Sequence, residues 1–262
     1  MTQDLPPRSL FKYRPIQHPA RFTEDIFRNR RLYFSAPAAF NDPFDCNLPL
    51  TFEGNEQDWL SFAKKLATEG LLSPTEKEKS VAAIMAKRPW ENPGVLQYVL
   101  DNNLKLVREQ SSVFCWAGRP DDILMFSYYA DGHKGICLEF QVGMEHEIGS
   151  AASVVYPPNF PDLNYIRIRD DISNILIWRK APFWAHEGEL RVFRYRVSPG
   201  FVSFPSHLLR RVIFGAKADS AGIELVRSWC ANWETPLIFA RAKPRRESFA
   251  LTIEDFDEVR PR

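Results

Sequence analysis

Apolar and polar residues alternate with a period of two near both ends of this chain and recur every three to four residues in between. Strands therefore flank a helical stretch. Leu10 to Arg14 reads as a first strand, with Phe11 and Tyr13 on one face and Lys12 and Arg14 on the other. Thr23 is placed to cap a short helix carrying Ile26 and Phe27. Across Arg31 to Ala36, Leu32 and Phe34 alternate with Tyr33 and Ser35. From about Asn55 to Gln110 the texture is helical and charged. Trp59, Phe62, Ala63 and Leu66 form one apolar stripe, which Gly70 ends. Ser73-Pro74-Thr75-Glu76 is a capping box with proline at the first helical position, opening a helix with Val81, Ile84 and Met85 inward. Asn92-Pro93 starts another, with Leu96, Val99, Leu100 and Val107 inward. No Gly/Ser linker flanks this stretch, so residues 55–110 read as a helical insertion within one domain spanning 1–262.

The second half returns to strands. Val113 to Trp116 is short and apolar, and Asp121 caps a helix with Leu124, Met125, Tyr128 and Tyr129, closed by Gly132. Tyr128 reads as core packing and Tyr129 as the freer ring. Gly135 to Val142 alternates, with Ile136, Leu138, Phe140 and Val142 on one face. Ser153–Tyr156 is a further strand, and Ile168, Ile172, Ile175 and Leu176 mark a helix. Strands follow at Glu187–Val197 and Arg211–Phe214, then a helix after Asp219, then strands at Leu237–Ala240 and Phe249–Ile253. Helices and strands mix without strict alternation, which predicts an α+β fold with a mixed, largely antiparallel sheet flanked by helices.

Composition narrows the chemistry. A chain of 262 residues buries about 70–75% of the surface its unfolded form exposes. With 34 Lys+Arg against 33 Asp+Glu, no global field draws nucleic acid or membrane. The cysteines Cys46, Cys115, Cys137 and Cys230 are far apart, which argues against a disulfide or zinc framework. Met1 to Ser9 lacks an apolar core, and no stretch approaches the roughly 20 apolar residues of a membrane span. A cytoplasmic protein with no membrane partner is expected. His18, His133, His146, His186 and His207 show no metal-ligand spacing, and Gly-rich phosphate loops are absent. The basic cluster Arg241, Lys243, Arg245 and Arg246 is followed by Glu254, Asp255, Asp257 and Glu258, a balanced surface.

Four positions are candidates for function, each with a plainer reading beside it. In a strand, Glu187, Glu189 and Arg191 of Glu187-Gly188-Glu189-Leu190-Arg191-Val192 share one face, with Gly188, Leu190 and Val192 toward the core. Neighbouring carboxylates repel, so at least one should bind its proton more tightly. Such a pair can hold a sugar hydroxyl and stabilise positive charge on a ribose ring. The plainer reading is a solvated face neutralised by Arg191. Arg14, kept extended by Pro15, can clamp a pyrophosphate or carboxylate, or be an ordinary surface arginine. Tyr129 can stack on a flat heteroaromatic ring. The turn Phe40-Asn41-Asp42-Pro43-Phe44-Asp45 keeps two aromatic rings, which predicts that it folds back against the core as a positioned loop. Its aspartates can cap local amides or bind a hard cation, and no metal is expected.

On these residues the chain resembles the bacterial FNDPFD family, a domain of unknown function. The resemblance is carried by Tyr13-Arg14 with Phe40 to Asp45, by Met125 to Ala130 ahead of Gly135 to Phe140, and by Lys180, Trp184, Glu187, Glu189 and Arg191, with Val212 to Gly215 late in the chain. The order Arg14, then Ser35 or Tyr129, then Glu189 is similar to that of the ADP-ribosyltransferase superfamily, and the Glu-x-Glu spacing resembles that of its arginine-modifying members. That second resemblance implies a split sheet gripping NAD in a cleft. Arg14 would hold ribose or phosphate, Tyr129 would stack on nicotinamide, and Glu189 would bond the ribose and favour an oxocarbenium transition state. A protein or nucleic acid would be the acceptor, in a toxin or defence effector. The chain departs from that superfamily in lacking a Ser-Thr-Ser element and in its Asn41–Asp45 turn. Two other readings compete: a metal-dependent phosphodiesterase or nuclease using Asp42, Asp45 and the Glu187/Glu189 pair, and a non-catalytic module whose turn forms a partner site.

Overall fold

In the computed structural model, which describes residues 8–17, 20–69, 72–91 and 94–259, the chain is α+β. β1 (Arg8–Arg14) leads through α1 (Ala20–Arg28) into β2 (Arg31–Phe34). The helical stretch follows as α2 (Glu56–Glu69), α3 (Pro74–Met85) and α4 (Gly94–Gln110). Next come β3 (Ser112–Trp116), α5 (Ile123–Tyr129), β4 (Ile136–Val142), β5 (Ala152–Ser153), α6 (Tyr165–Ile168) and α7 (Ile172–Ile177). The chain continues with β6 (Leu190–Arg194), β7 (Gly200–Ser203), β8 (Leu209–Phe214), α8 (Ser220–Trp229), β9 (Leu237–Pro244) and β10 (Leu251–Val259).

The largest sheet has the order β1-β4-β8-β9-β10, with β8/β9 its parallel pair. Two smaller antiparallel sheets lie beside it: β3-β6-β5 is bridged to it from Ala117 to Phe11, and β2-β7 is bridged to β3 from Ser35 to Val113. The sheet is thus split between β1 and β3. β4 is an interior strand: Ile136, Leu138, Phe140 and Val142 on one face meet an apolar cluster with Trp229 and Phe27, while Cys137 on the other meets a second with Met125 and Phe126. The third cluster gathers Trp59, Phe62 and Leu100 of the helical stretch around Phe52 and Leu176.

Local signals set several elements. Ser73 and Glu76 exchange their capping bonds, and Asp219 accepts from Gly222 N at 2.7 Å. The roles given to Gly70 and to Asn92-Pro93 lie outside the described residues. Other expectations need correction. Thr23 lies inside α1, and its hydroxyl donates to the Pro15 carbonyl rather than capping. Asp122, not Asp121, caps α5, because Asp121 is held by Arg119. Tyr128, read as core packing, is exposed. The strand read at Ser153–Tyr156 shrinks to Ala152–Ser153, and the one read at Glu187–Val197 starts only at Leu190. β9 and β10 run further than expected, pairing the basic and acidic clusters, as in Lys243 to Glu254 at 2.5 Å.

Gly135 fixes the place of β1 beside the split. A β-carbon there would lie 2.3 Å from the Arg14 carbonyl oxygen and 2.9 Å from the Ala130 backbone. These are backbone atoms, so the strand must move. Gly135→Ala should cost about 1–3 kcal/mol of stability, the usual penalty for overpacking a tight site. A variant that unfolds at the wild-type urea midpoint would show that β1 yields freely here.

Candidate functional site

A cleft of about 480 Å³ opens where β1 and β3 part beyond the Phe11–Ala117 bridge. Its walls bring together distant parts of the chain: Lys12 and Arg14 from β1, Ser35 after β2, Asn41 and Asp45 of the turn, Tyr129 at the end of α5, and Lys180, Glu187 and Glu189 ahead of β6.

The two glutamates do not lie on a strand. Pro182–Glu187 is a 3₁₀ helix, and Gly188 follows in the left-handed region at φ 50°. Glycine adopts that conformation without penalty. The turn also packs closely on Gly118, whose added β-carbon would lie 2.9 Å from the Gly188 carbonyl oxygen. This kink aims both carboxylates at one ammonium, with Lys180 Nζ 2.5 Å from Glu187 and 3.0 Å from Glu189. Asp45 lies 3.7 Å from the same nitrogen.

Behind them Arg191 is fully buried, and its five N–H groups find five acceptors. Nε donates to Glu189 Oε1 at 2.7 Å, and Nη2 donates to Glu189 Oε2 at 3.1 Å and to Asp45 at 2.7 Å. Nη1 donates to the Ile177 carbonyl at 2.8 Å and to Cys46 Sγ at 3.4 Å. The plainer reading of Glu187, Glu189 and Arg191 as a solvated face therefore fails, as all three are buried. The tighter proton binding expected of at least one neighbouring carboxylate is not found at Glu189. Burial pushes its pKa up, but Arg191 and Lys180 outweigh that and hold it at about 2. Repulsion between the carboxylates is offset by two cations between and behind them.

Tyr129 donates to Glu187 Oε1 at 2.8 Å, and burial followed by Glu187 raises the pKa of its hydroxyl. Tyr156 accepts from the Glu189 amide at 2.8 Å, and burial lifts its pKa to about 12. Cations at the β1 wall are differently placed. Lys12 Nζ donates to the Cys115 carbonyl at 2.8 Å, and the Arg14 guanidinium lies 5.9 Å from the Phe22 ring. Arg14 Nε is buried without a hydrogen-bond partner, and neither cation meets a carboxylate within salt-bridge distance among the described residues. Burial lowers the pKa of both.

Of the residues singled out in the sequence, Arg14, Ser35, Asn41, Asp45, Tyr129, Glu187 and Glu189 line the cleft. Asp42 and Arg191 do not. Asp42 caps its own turn by accepting from Phe44 N at 2.9 Å, and Arg191 stands behind the wall. Only part of the turn folds inward: the Phe40 ring sits 5.3 Å from the Arg191 guanidinium, whereas Phe44 is exposed against Phe160. The space a divalent ion would need between Asp45, Glu187 and Glu189 is filled by the Lys180 ammonium. Sequence reasoning gave no role to Lys12, Cys115 and Tyr156, and named Lys180 only within a family signature. A signal existed for Lys12, which shares a polar strand face with Arg14, and none for Tyr156. Comparison with protein-family models, with curated proteins and with solved structures finds no match.

Proposed function

We propose that this chain is an NAD-consuming enzyme of the ADP-ribosyltransferase type, cleaving the bond between nicotinamide and ribose and acting as a toxin or defence effector. One observation carries the reading: Arg14, Tyr129 and the Glu187/Glu189 pair line a single cleft although they are far apart in the chain. Arg14, with no carboxylate of its own among the described residues, is available to the pyrophosphate. Between the glutamates, acceptor capacity decides the roles. An ionised carboxylate offers about four acceptor positions. Glu189 accepts three hydrogen bonds, two from Arg191 and one from Lys180, whereas Glu187 accepts two, from Tyr129 and Lys180. Glu187 is thus the carboxylate that takes the ribose hydroxyl and faces charge developing on the sugar. Glu189 acts as a positioning residue, through Lys180. Water, a protein or a nucleic acid is the acceptor.

The non-catalytic module is the second reading. It is favoured by the full pairing of Arg191, the pattern of a structural staple between turn and strand. Purified protein incubated with NAD separates the two. The enzyme reading expects free nicotinamide to accumulate in proportion to protein, and Arg14→Ala to weaken NAD binding by about tenfold or more, the worth of one charged hydrogen bond. No nicotinamide release together with no heat of NAD binding would leave the module.

A further inference from the structure

Two lysines reach the cleft, and their surroundings differ. Lys180 is held as an ammonium by Asp45, Glu187 and Glu189. Lys12 has a neutral carbonyl, that of Cys115, and the face of Phe114, whose ring centroid is 4.6 Å from Nζ. Arg14 follows two residues later on the same face of β1 and adds a like charge. Burial lowers the affinity of Lys12 for its proton; Cys115 works against that, Arg14 adds to it, and Glu189 and Glu187 oppose it from across the cleft. A desolvated amine beside a second cation is the arrangement that makes lysine nucleophilic. Lys12, Tyr13, Arg14 and Tyr129 line both the cleft and a second hollow of about 320 Å³.

We propose that Lys12 is an imine-forming amine, and that the cleft admits a small aldehyde or ketone bearing a phosphate or carboxylate. Arg14 takes the anionic group and presents the carbonyl carbon to Nζ. The nitrogen lone pair forms the C–N bond, giving a carbinolamine. The carbonyl oxygen then leaves as water, both of its hydrogens having come from the amine, and a C=N bond remains. No oxidant or reductant is needed, and the step does not rest on NAD consumption.

Pyridoxal 5′-phosphate is a suitable probe, being an aldehyde with a phosphate. The full chain is incubated with one equivalent, borohydride reduces any C=N bond to a stable secondary amine, and the modified residue is mapped by peptide mass spectrometry. The adduct is expected on Lys12 ahead of exposed lysines such as Lys64 and Lys79. It should be absent in Lys12→Arg. It should also form about tenfold or more slowly in Arg14→Ala, or with pyridoxal lacking the phosphate. Labelling spread over surface lysines with Lys12 unmodified would overturn the proposal, as would equal rates with and without Arg14. Wild-type mapping decides the first point even where Lys12→Arg fails to fold. Labelling without NAD turnover leaves the imine standing and removes only the NAD reading.

Discussion

Arg191→Met should destabilise the protein by about 3–5 kcal/mol, the range found when one partner of a buried ion pair is removed. The side chain has no exposure, and methionine fills much of its volume, so a cavity is a minor part of the loss. The main cost is electrostatic. Glu189 and Asp45 are buried, and without the guanidinium they share Lys180 with Glu187, three carboxylates on one ammonium. The Ile177 carbonyl also loses its donor. Equilibrium unfolding in urea at pH 7 measures the loss, and a change below about 1 kcal/mol would mean the pairing contributes little beyond an exposed bridge. A second substitution, Glu189→Met, should recover part of the stability by removing the stranded charge.

Acid provides an independent check with a definite sign. The Glu189 pKa is depressed from 4.5 to about 2 in the folded state. Its contribution is therefore complete above the unfolded value and drains away as pH falls from about 4.5 toward 2. The full amount is about 3 kcal/mol, since each tenfold loss of proton affinity on folding is worth about 1.4 kcal/mol. In Arg191→Met the depression is largely lost. The gap in stability between wild type and variant should then narrow as pH falls through that window, and a gap that widens would contradict the pairing.

What could be read from the sequence was whatever a few adjacent residues decide. The alternation of Ile136, Leu138, Phe140 and Val142 sets the buried face of β4, and the Ser73–Glu76 box sets the start of α3. Arg14 and Glu189 on one cleft were an inference from order along the chain, and the fold places them there. Failures came where one backbone angle or one distant partner decides. At Glu187 the period-two reading broke because Gly188 turns left-handed, a choice that glycine permits but does not announce. At Tyr128 and Tyr129 the partner that decides is distant: Tyr129 bonds Glu187, 58 residues on, while Tyr128 stays exposed. Lys180 is seven residues from Glu187 and far in sequence from Asp45, so its role as their shared counter-charge exists only after folding.

On the proposed NAD-consuming reading, Glu187→Gln is expected to slow nicotinamide release by about 10²–10³-fold, the loss typical when one group aimed at developing charge is removed. The change keeps the side chain's size, and the amide oxygen still accepts from Tyr129. What disappears is the negative charge beside the ribose, which stabilises the transition state and adds little in the ground state. NAD affinity, which that reading assigns to Arg14, should stay within a few-fold. Glu189→Gln should behave differently, because its carboxylate, though it lines the cleft, is held by two bonds from Arg191 and one from Lys180. That variant should lose stability in urea and lose activity only as far as Glu187 shifts with Lys180. Single-turnover kinetics and calorimetry on both variants separate rate from binding. If Glu189→Gln abolished the chemical step at unchanged stability while Glu187→Gln ran at the wild-type rate, the roles derived from acceptor capacity would be reversed.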